Sequence, residues 1–185
     1  MCRAFLSVPE NTDSLQLQQT GKERATVKVT ILTVGKLKEK YLRDAVAEYS
    51  KRLSHYCKLE ILEVADEKVP ENAGPAAEEA IRQKEGERLM KYIRSDAYVI
   101  TLEIGGAMLD SVEFSRKVEQ LGVQGKSHLI FVIGGSIGLG KEILNRSDYA
   151  LSFSRMTFPH QLMRVILLEQ IYRGFRIAEG APYHK

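Results

Sequence analysis

The chain has 185 residues, of which 44% are hydrophobic and 28% charged, and a formal net charge of +3. That composition predicts one globular domain with a short appendage, excludes wholesale disorder, and does not announce a nucleic-acid partner by charge alone. Two cysteines, Cys2 and Cys57, neither form a disulfide scaffold nor cluster as zinc ligands do, so no metal is expected. No apolar run reaches the roughly 20 residues of a membrane span, and no signal-peptide pattern opens the chain. A cytoplasmic protein is expected.

Residues 1–26 are polar and aperiodic and are expected to be a disordered leader. Gly21-Lys22-Glu23 can be encoded by a ribosome-binding purine run and Val27 by a GTG start codon. This makes the leader a candidate mis-assigned start, with 27–185 as the folded domain.

From Val27 onward strand and helix patterns alternate. Residues 27–34, rich in Val, Ile and Thr, predict a strand ending at Gly35. Residues 38–53 place Leu42, Ala45, Val46, Tyr49 and Leu53 at helical spacing. A strand over 59–65 follows, then a loop over 66–75 holding Pro70, Gly74 and Pro75. A charged helix is predicted over 76–93 and a strand over 97–104, closed by Gly105-Gly106. Ser111 is the expected cap of a short helix carrying Val112, Val118 and Leu121. Residues 127–133 form a nearly continuous apolar strand, as expected when both sheet faces are covered. A strand over 149–153 comes next, and Pro159 opens a long helix to about Ala178. The alternation predicts an α/β domain with a mainly parallel sheet. Ligands of such sheets bind beyond the carboxyl ends of the strands, which selects the loops after Leu102, Ile133 and Ser152.

The loop after Ile133 carries Gly134, Gly135, Gly138 and Gly140. Its spacing, G-x-x-G-x-G, is the reverse of a dinucleotide fingerprint. Gly135 to Lys141 matches the start of a phosphate-binding loop, but Glu142 stands where Ser or Thr should hold magnesium. What remains is either close backbone approach to a ligand or a plain strand-to-helix turn. In the run Leu151–Arg164, Phe153, Met156 and Phe158 either line an apolar slot or pack the core.

The final helix is apolar over most of its circumference, from Leu162 through Phe175, with Glu169, Arg173 and Arg176 as its polar stripe. Such a helix should be covered by more than its own sheet, which predicts a homodimer. Arg164 lies within the apolar face, where a guanidinium needs an anion. An ion pair across the dimer and a contact to substrate phosphate both satisfy that need.

Ile133-Gly134-Gly135, the run Leu151–Arg164, Glu169-Gln170-Ile171-Tyr172-Arg173 and the terminal Pro182-Tyr183-His184-Lys185 together resemble the RlmH family. These are SPOUT-class methyltransferases of a pseudouridine N3 in 23S rRNA. The stretches Val34–Tyr41 and Lys84–Arg88 share the resemblance, which spans 27–185. It implies a C-terminal trefoil knot, a fold that topology rules disfavour. It also implies S-adenosylmethionine as cofactor, held by Leu102, Gly134, Phe153, Ser154, Arg155, Met156, Thr157 and Phe158. His160, Tyr183 and His184 become catalytic candidates. Arg155, Arg164, Tyr183 and His184 become contacts to 23S rRNA or the assembled ribosome, with the tail reaching the partner subunit. An RNA-binding assembly factor without catalysis, or a methyltransferase acting on tRNA, are the alternatives on the same fold.

Overall fold

The structure is a computed structural model that describes residues 27–183. The leader 1–26 and His184 lie outside the described residues.

Five parallel strands form one sheet in the order β2-β1-β4-β3-β5. They are β1 Lys28–Val34, β2 Lys58–Val64, β3 Tyr98–Met108, β4 His128–Ile133 and β5 Tyr149–Ser152. Five helices connect and close them: α1 Lys40–Leu53, α2 Pro75–Met90, α3 Ser111–Val123, α4 Lys141–Arg146 and α5 His160–Ala178.

The predicted α/β class with a parallel sheet is observed. β4 reads as a nearly unbroken apolar run, and β1 is buried along most of its length with Thr30 and Thr33 among its apolar residues, because helices cover both faces of the sheet. On one face, Ile31, Phe131 and Ile133 meet Leu53 of α1, Phe114 of α3, and Leu167, Leu168 and Ile171 of α5. On the other, Leu32, Ile130 and Val132 meet Leu89 of α2 and Ile143 of α4. Alternate residues along a strand point to opposite faces, which divides the core into these two layers.

α5 sits between α1 and α3. Gly174 lies against Phe114 and Ser115, and Ser115 donates a 2.7 Å hydrogen bond to the Gly174 carbonyl. That hydrogen bond joins the two helices at a point where a Cβ on Gly174 would be in ordinary contact with Phe114 and Ser115 at 3.6 Å. Much of the apolar circumference of α5 is therefore covered within one chain, by two helices as well as the sheet. Leu162, at its start, remains 37% exposed.

Two local expectations are corrected. β3 does not end at Ile104. It runs on to Met108, and its pairing with β5 skips from Leu102 to Ala107, both opposite Leu151. Residues 103–106 bulge outward between those two pairings. Gly106 permits this because a Cβ there would stand 2.8 Å from the Ala150 and Leu151 backbone. The cap of α3 is Asp110 rather than Ser111. Its carboxylate accepts from the Val112 and Glu113 amides at 2.8 Å, and Glu113 accepts from the Asp110 amide, a reciprocal capping box. The glycine loop leads into a short helix, α4, before β5, as a strand-to-helix turn does. Among the described residues, no helix is long and apolar enough to cross a membrane.

Candidate active site

The strand order places β4, β3 and β5 side by side, so the loops leaving their carboxyl ends must converge. They enclose a cavity of about 550 Å³. Leu102, Glu103 and Ile104 come from β3 and its bulge. Ile133, Gly134, Gly135, Ser136 and Gly138 come from the glycine loop. Phe153, Ser154, Met156, Thr157, Phe158, Pro159 and His160 come from the segment that enters α5.

Ser152 joins two of these walls. Its hydroxyl donates toward the Ile104 carbonyl at 3.0 Å and the Ser154 carbonyl at 3.1 Å. The Met156 amide donates to Ser154 Oγ at 3.0 Å, which folds the entering segment on itself. In the glycine loop the Gly138 amide donates to the Gly135 carbonyl at 3.2 Å, and Gly138 holds a φ of +85° that an L side chain rarely adopts. A Cβ on Gly134 would stand 2.8 Å from the Gly138 backbone. Gly134 is thus required by the loop itself rather than by space facing the cavity.

Helix α2 supports this loop from behind. A Cβ on Gly140 would meet the Arg82 carbonyl at 2.7 Å, and one on Gly135 would meet Glu85 Oε2 at 2.9 Å. Glu85 is only 4% exposed. Its Oε1 accepts the Glu67 amide at 2.9 Å, while Oε2 has no hydrogen-bond partner among the described residues. Burial, with the neighbouring Asp66 and Glu67 charges, pushes its carboxyl above the usual carboxylate range despite the Glu67 amide and Arg88.

The structure brings Leu102, Gly134, Phe153, Ser154, Met156, Thr157, Phe158 and His160 to one cavity. Arg155 is exposed and does not line it. Burial holds the His160 imidazole below its ordinary pKa. The nearby Arg164 and Lys38 charges add to this, and Asp66 opposes it. The cavity-lining residues not assigned to the site from the sequence are Glu103, Ile104, Ile133, Gly135, Ser136, Gly138, Leu151, Ser152, Pro159 and Met163. The Gly105-Gly106 pair after an apolar strand was the one local sign of the bulge that brings in Glu103 and Ile104.

Arg164 corrects the sequence reading. It is 1% exposed and cannot meet RNA. Its Nη1 pairs with Glu63 Oε1 on β2 of the same chain, and its Nη2 donates to the Val34 and Gly35 carbonyls at 3.1 and 2.6 Å. The anion it required is thus internal, not a substrate phosphate or a partner subunit. Tyr183 also stays away from the cavity of its own chain. It packs edge-on against Tyr172 at 5.1 Å, with the Arg173 guanidinium 4.7 Å over its ring.

The cavity fits a nucleoside carrying a thioether-like arm. It has apolar walls for a purine, a glycine-rich loop whose Gly134, Gly135 and Gly138 present bare backbone, and an irregular backbone over 153–158 that offers polar groups. Among the described residues no group of three or more His, Cys, Asp or Glu is arranged to hold a metal.

Residues 27–184 match a family described as "Predicted SPOUT methyltransferase". A Bifidobacterium adolescentis protein named ribosomal RNA large subunit methyltransferase H is 62% identical over 159 residues, 86% of this chain and 100% of its own length. Proteins of the same name from Clostridium kluyveri and Clostridium beijerinckii are 60% and 57% identical over 157 residues, 85% of this chain and 99% of theirs. A match over nearly the whole described chain, joined to a cavity built by the loops after β3, β4 and β5, leads to one conclusion: the chain belongs to the SPOUT methyltransferase family, which implies the C-terminal trefoil knot.

Proposed function

We propose that this chain transfers a methyl group from S-adenosylmethionine to N3 of a pseudouridine in 23S rRNA of the large ribosomal subunit, and that it acts as a homodimer in the cytoplasm. Family membership and the names of the relatives, which specify methyltransferases of large-subunit ribosomal RNA, support the class of reaction. The observation that carries the cofactor is the cavity of about 550 Å³, within the range of ligand pockets.

When bound, the cofactor supplies an electrophilic methyl on a sulfonium. Leu102, Gly134, Phe153, Ser154, Met156, Thr157 and Phe158 would hold it. N3 carries a proton and is a poor nucleophile until that proton leaves. His160 lines the cavity, and its depressed pKa keeps the ring neutral near pH 7. A neutral ring nitrogen can take the N3 proton. Arg155, exposed beside the cavity, serves as a contact to rRNA. Tyr183 and His184 serve as substrate or proton-transfer groups in the cavity of the partner subunit, where an extruded base can be stacked.

Homodimerisation is supported by apolar side chains left exposed near the cavity: Ile104, Met108, Met156 and Leu162. Residues 27–185 are proposed as the whole catalytic domain, in line with a family match that starts at residue 27. Mass mapping of rRNA from a strain lacking the gene tests the reading. Loss of one methyl group from a 23S pseudouridine supports it, and an intact 23S map with a missing tRNA methyl overturns it. Titration with S-adenosylmethionine separates it from a non-catalytic assembly factor, which would not bind the cofactor.

A further inference from the structure

The loop between β1 and α1 is exposed, yet the backbone of Leu37 and Lys38 at its centre is held by side chains from three other elements. The Leu37 amide donates to Glu63 Oε1 at 3.2 Å, and the Lys38 amide donates to Gln161 Oε1 at 3.1 Å. Arg43 Nη1 donates to the Leu37 carbonyl at 3.1 Å and the Lys38 carbonyl at 2.6 Å. Side chains from β2, α5 and α1 thereby satisfy every backbone polar group of two consecutive residues. A solvated loop needs none of this, because water satisfies such groups without ordering the chain. Gly35, with a φ of +81°, makes the sharp exit from β1 that starts the loop.

What the fixed backbone displays is positive. Lys36 and Lys38 are exposed and form no ion pair among the described residues, whereas Lys40 is paired with Asp44 at 2.7 Å. Of the nearby carboxylates, Glu63 is occupied by Arg164 and the Leu37 amide, Asp66 lies beside Gly35, and the exposed Glu39 at the N-cap of α1 offsets one of the two lysines. Tyr41, on the first turn of α1, is 68% exposed. The loop also adjoins the catalytic rim. Gln161, which receives the Lys38 amide, follows His160, and a Cβ on Gly35 would stand 3.6 Å from His160 Nε2.

We infer that the β1–α1 loop is a preorganised docking surface for rRNA, with Lys36 and Lys38 as phosphate contacts and Tyr41 as a stacking face beside the methyl-transfer cavity. This rests on the rRNA reading given above. Fixing the loop before binding removes part of the ordering cost of association. Two cations held at the cavity rim anchor the phosphodiester backbone and set its register, while base identity is read inside the cavity.

The test uses the full chain and large ribosomal subunits from a strain lacking the gene. The double variant Lys36→Gln/Lys38→Gln should raise the KM for subunits about tenfold, and the slope of log affinity against log salt should shrink by about 2. Cofactor affinity, Tm and kcat at saturating subunits should stay at wild-type values. Lys36→Arg/Lys38→Arg should restore KM. Tyr41→Ala should raise KM with no change in salt slope, because stacking releases no counterions. An unchanged KM and slope in the Gln variant, with wild-type enzyme active on the same subunits, overturns the inference alone. A joint fall in Tm and cofactor affinity also overturns it, since that marks a structural loop. Wild-type enzyme inactive on the subunits overturns the rRNA reading and this inference with it.

Discussion

Arg164 and Glu63 stand 101 residues apart in sequence and form one ion pair between α5 and β2. The guanidinium also binds the Val34 and Gly35 carbonyls at the end of β1, so one side chain ties the last helix to two strand ends. Burial lowers the Arg164 pKa and the Glu63 charge opposes that shift. Arg164 is the buried member of the pair and Glu63 is exposed to water, so losing the guanidinium strands no buried charge but leaves the buried Val34 and Gly35 carbonyls without their donor.

Arg164→Ala should therefore destabilise the fold by about 2–3 kcal/mol through lost packing and two unpaired buried carbonyls, measured by urea unfolding. Arg164→Met should cost less, because it refills the space without burying a charge. If Arg164→Ala kept full stability but lost rRNA affinity, the internal role assigned to Arg164 would be wrong.

Gly134→Val should abolish cofactor binding by distorting the glycine loop, since its Cβ would stand 2.8 Å from the Gly138 backbone. We expect at least a tenfold weaker S-adenosylmethionine affinity by calorimetry, with native far-ultraviolet circular dichroism. Wild-type affinity in the folded variant would remove Gly134 from the site.

If His160 takes the N3 proton as proposed, it should set the acid limb of the pH profile. Its pKa lies below the ordinary imidazole value of about 6.5, chiefly through burial. Methyl transfer should rise with pH through that lowered value, and His160→Ala should erase the limb along with most of the rate. Stability carries the same sign. The unfolded chain takes up this proton at higher pH than the folded one, so stability falls as pH drops below about 6.5 through the folded value. An acid limb that persists in His160→Ala would assign the proton to another group.

Glu85 has the opposite sign. Its carboxyl pKa is raised, chiefly by burial, so the folded chain holds the proton to higher pH than the unfolded one. Its contribution is present below the ordinary carboxylate value of about 4.3 and is lost as pH rises through the raised value. Glu85→Gln retains an acceptor for the Glu67 amide and never ionises. Its Tm relative to wild type should climb with pH, to a gain of about 2–4 °C near neutrality. A constant difference across pH would show that Glu85 does not titrate in this window.

Removing Tyr183–Lys185 should abolish methyl transfer while leaving cofactor affinity and dimerisation near wild type, by calorimetry and light scattering. Within one chain Tyr183 rests on Tyr172 and Arg173 rather than in the cavity, so a catalytic tail must serve the partner subunit. A truncated enzyme with normal turnover would make the tail inert, and a wild-type monomer would exclude the crossing.

The sequence by itself determined the alternation of elements, the nearly unbroken apolar character of β4, and the loops that line the cavity. These follow from local periodicity and from glycine and proline placement, which act within a few residues. The bulge in β3 was not legible, because Gly106 needs to be glycine only once β5 lies against it. Nor was Glu85 legible, since an acidic residue on a charged helix reads as solvated until the glycine loop covers it. Arg164 shows the boundary between the two levels. Its place on an apolar face already demanded an anion. That the anion is Glu63, on a strand at the sheet edge, depended on strand order and on how α5 crosses the sheet. Both are long-range choices made by packing in three dimensions, not by any spacing along the chain.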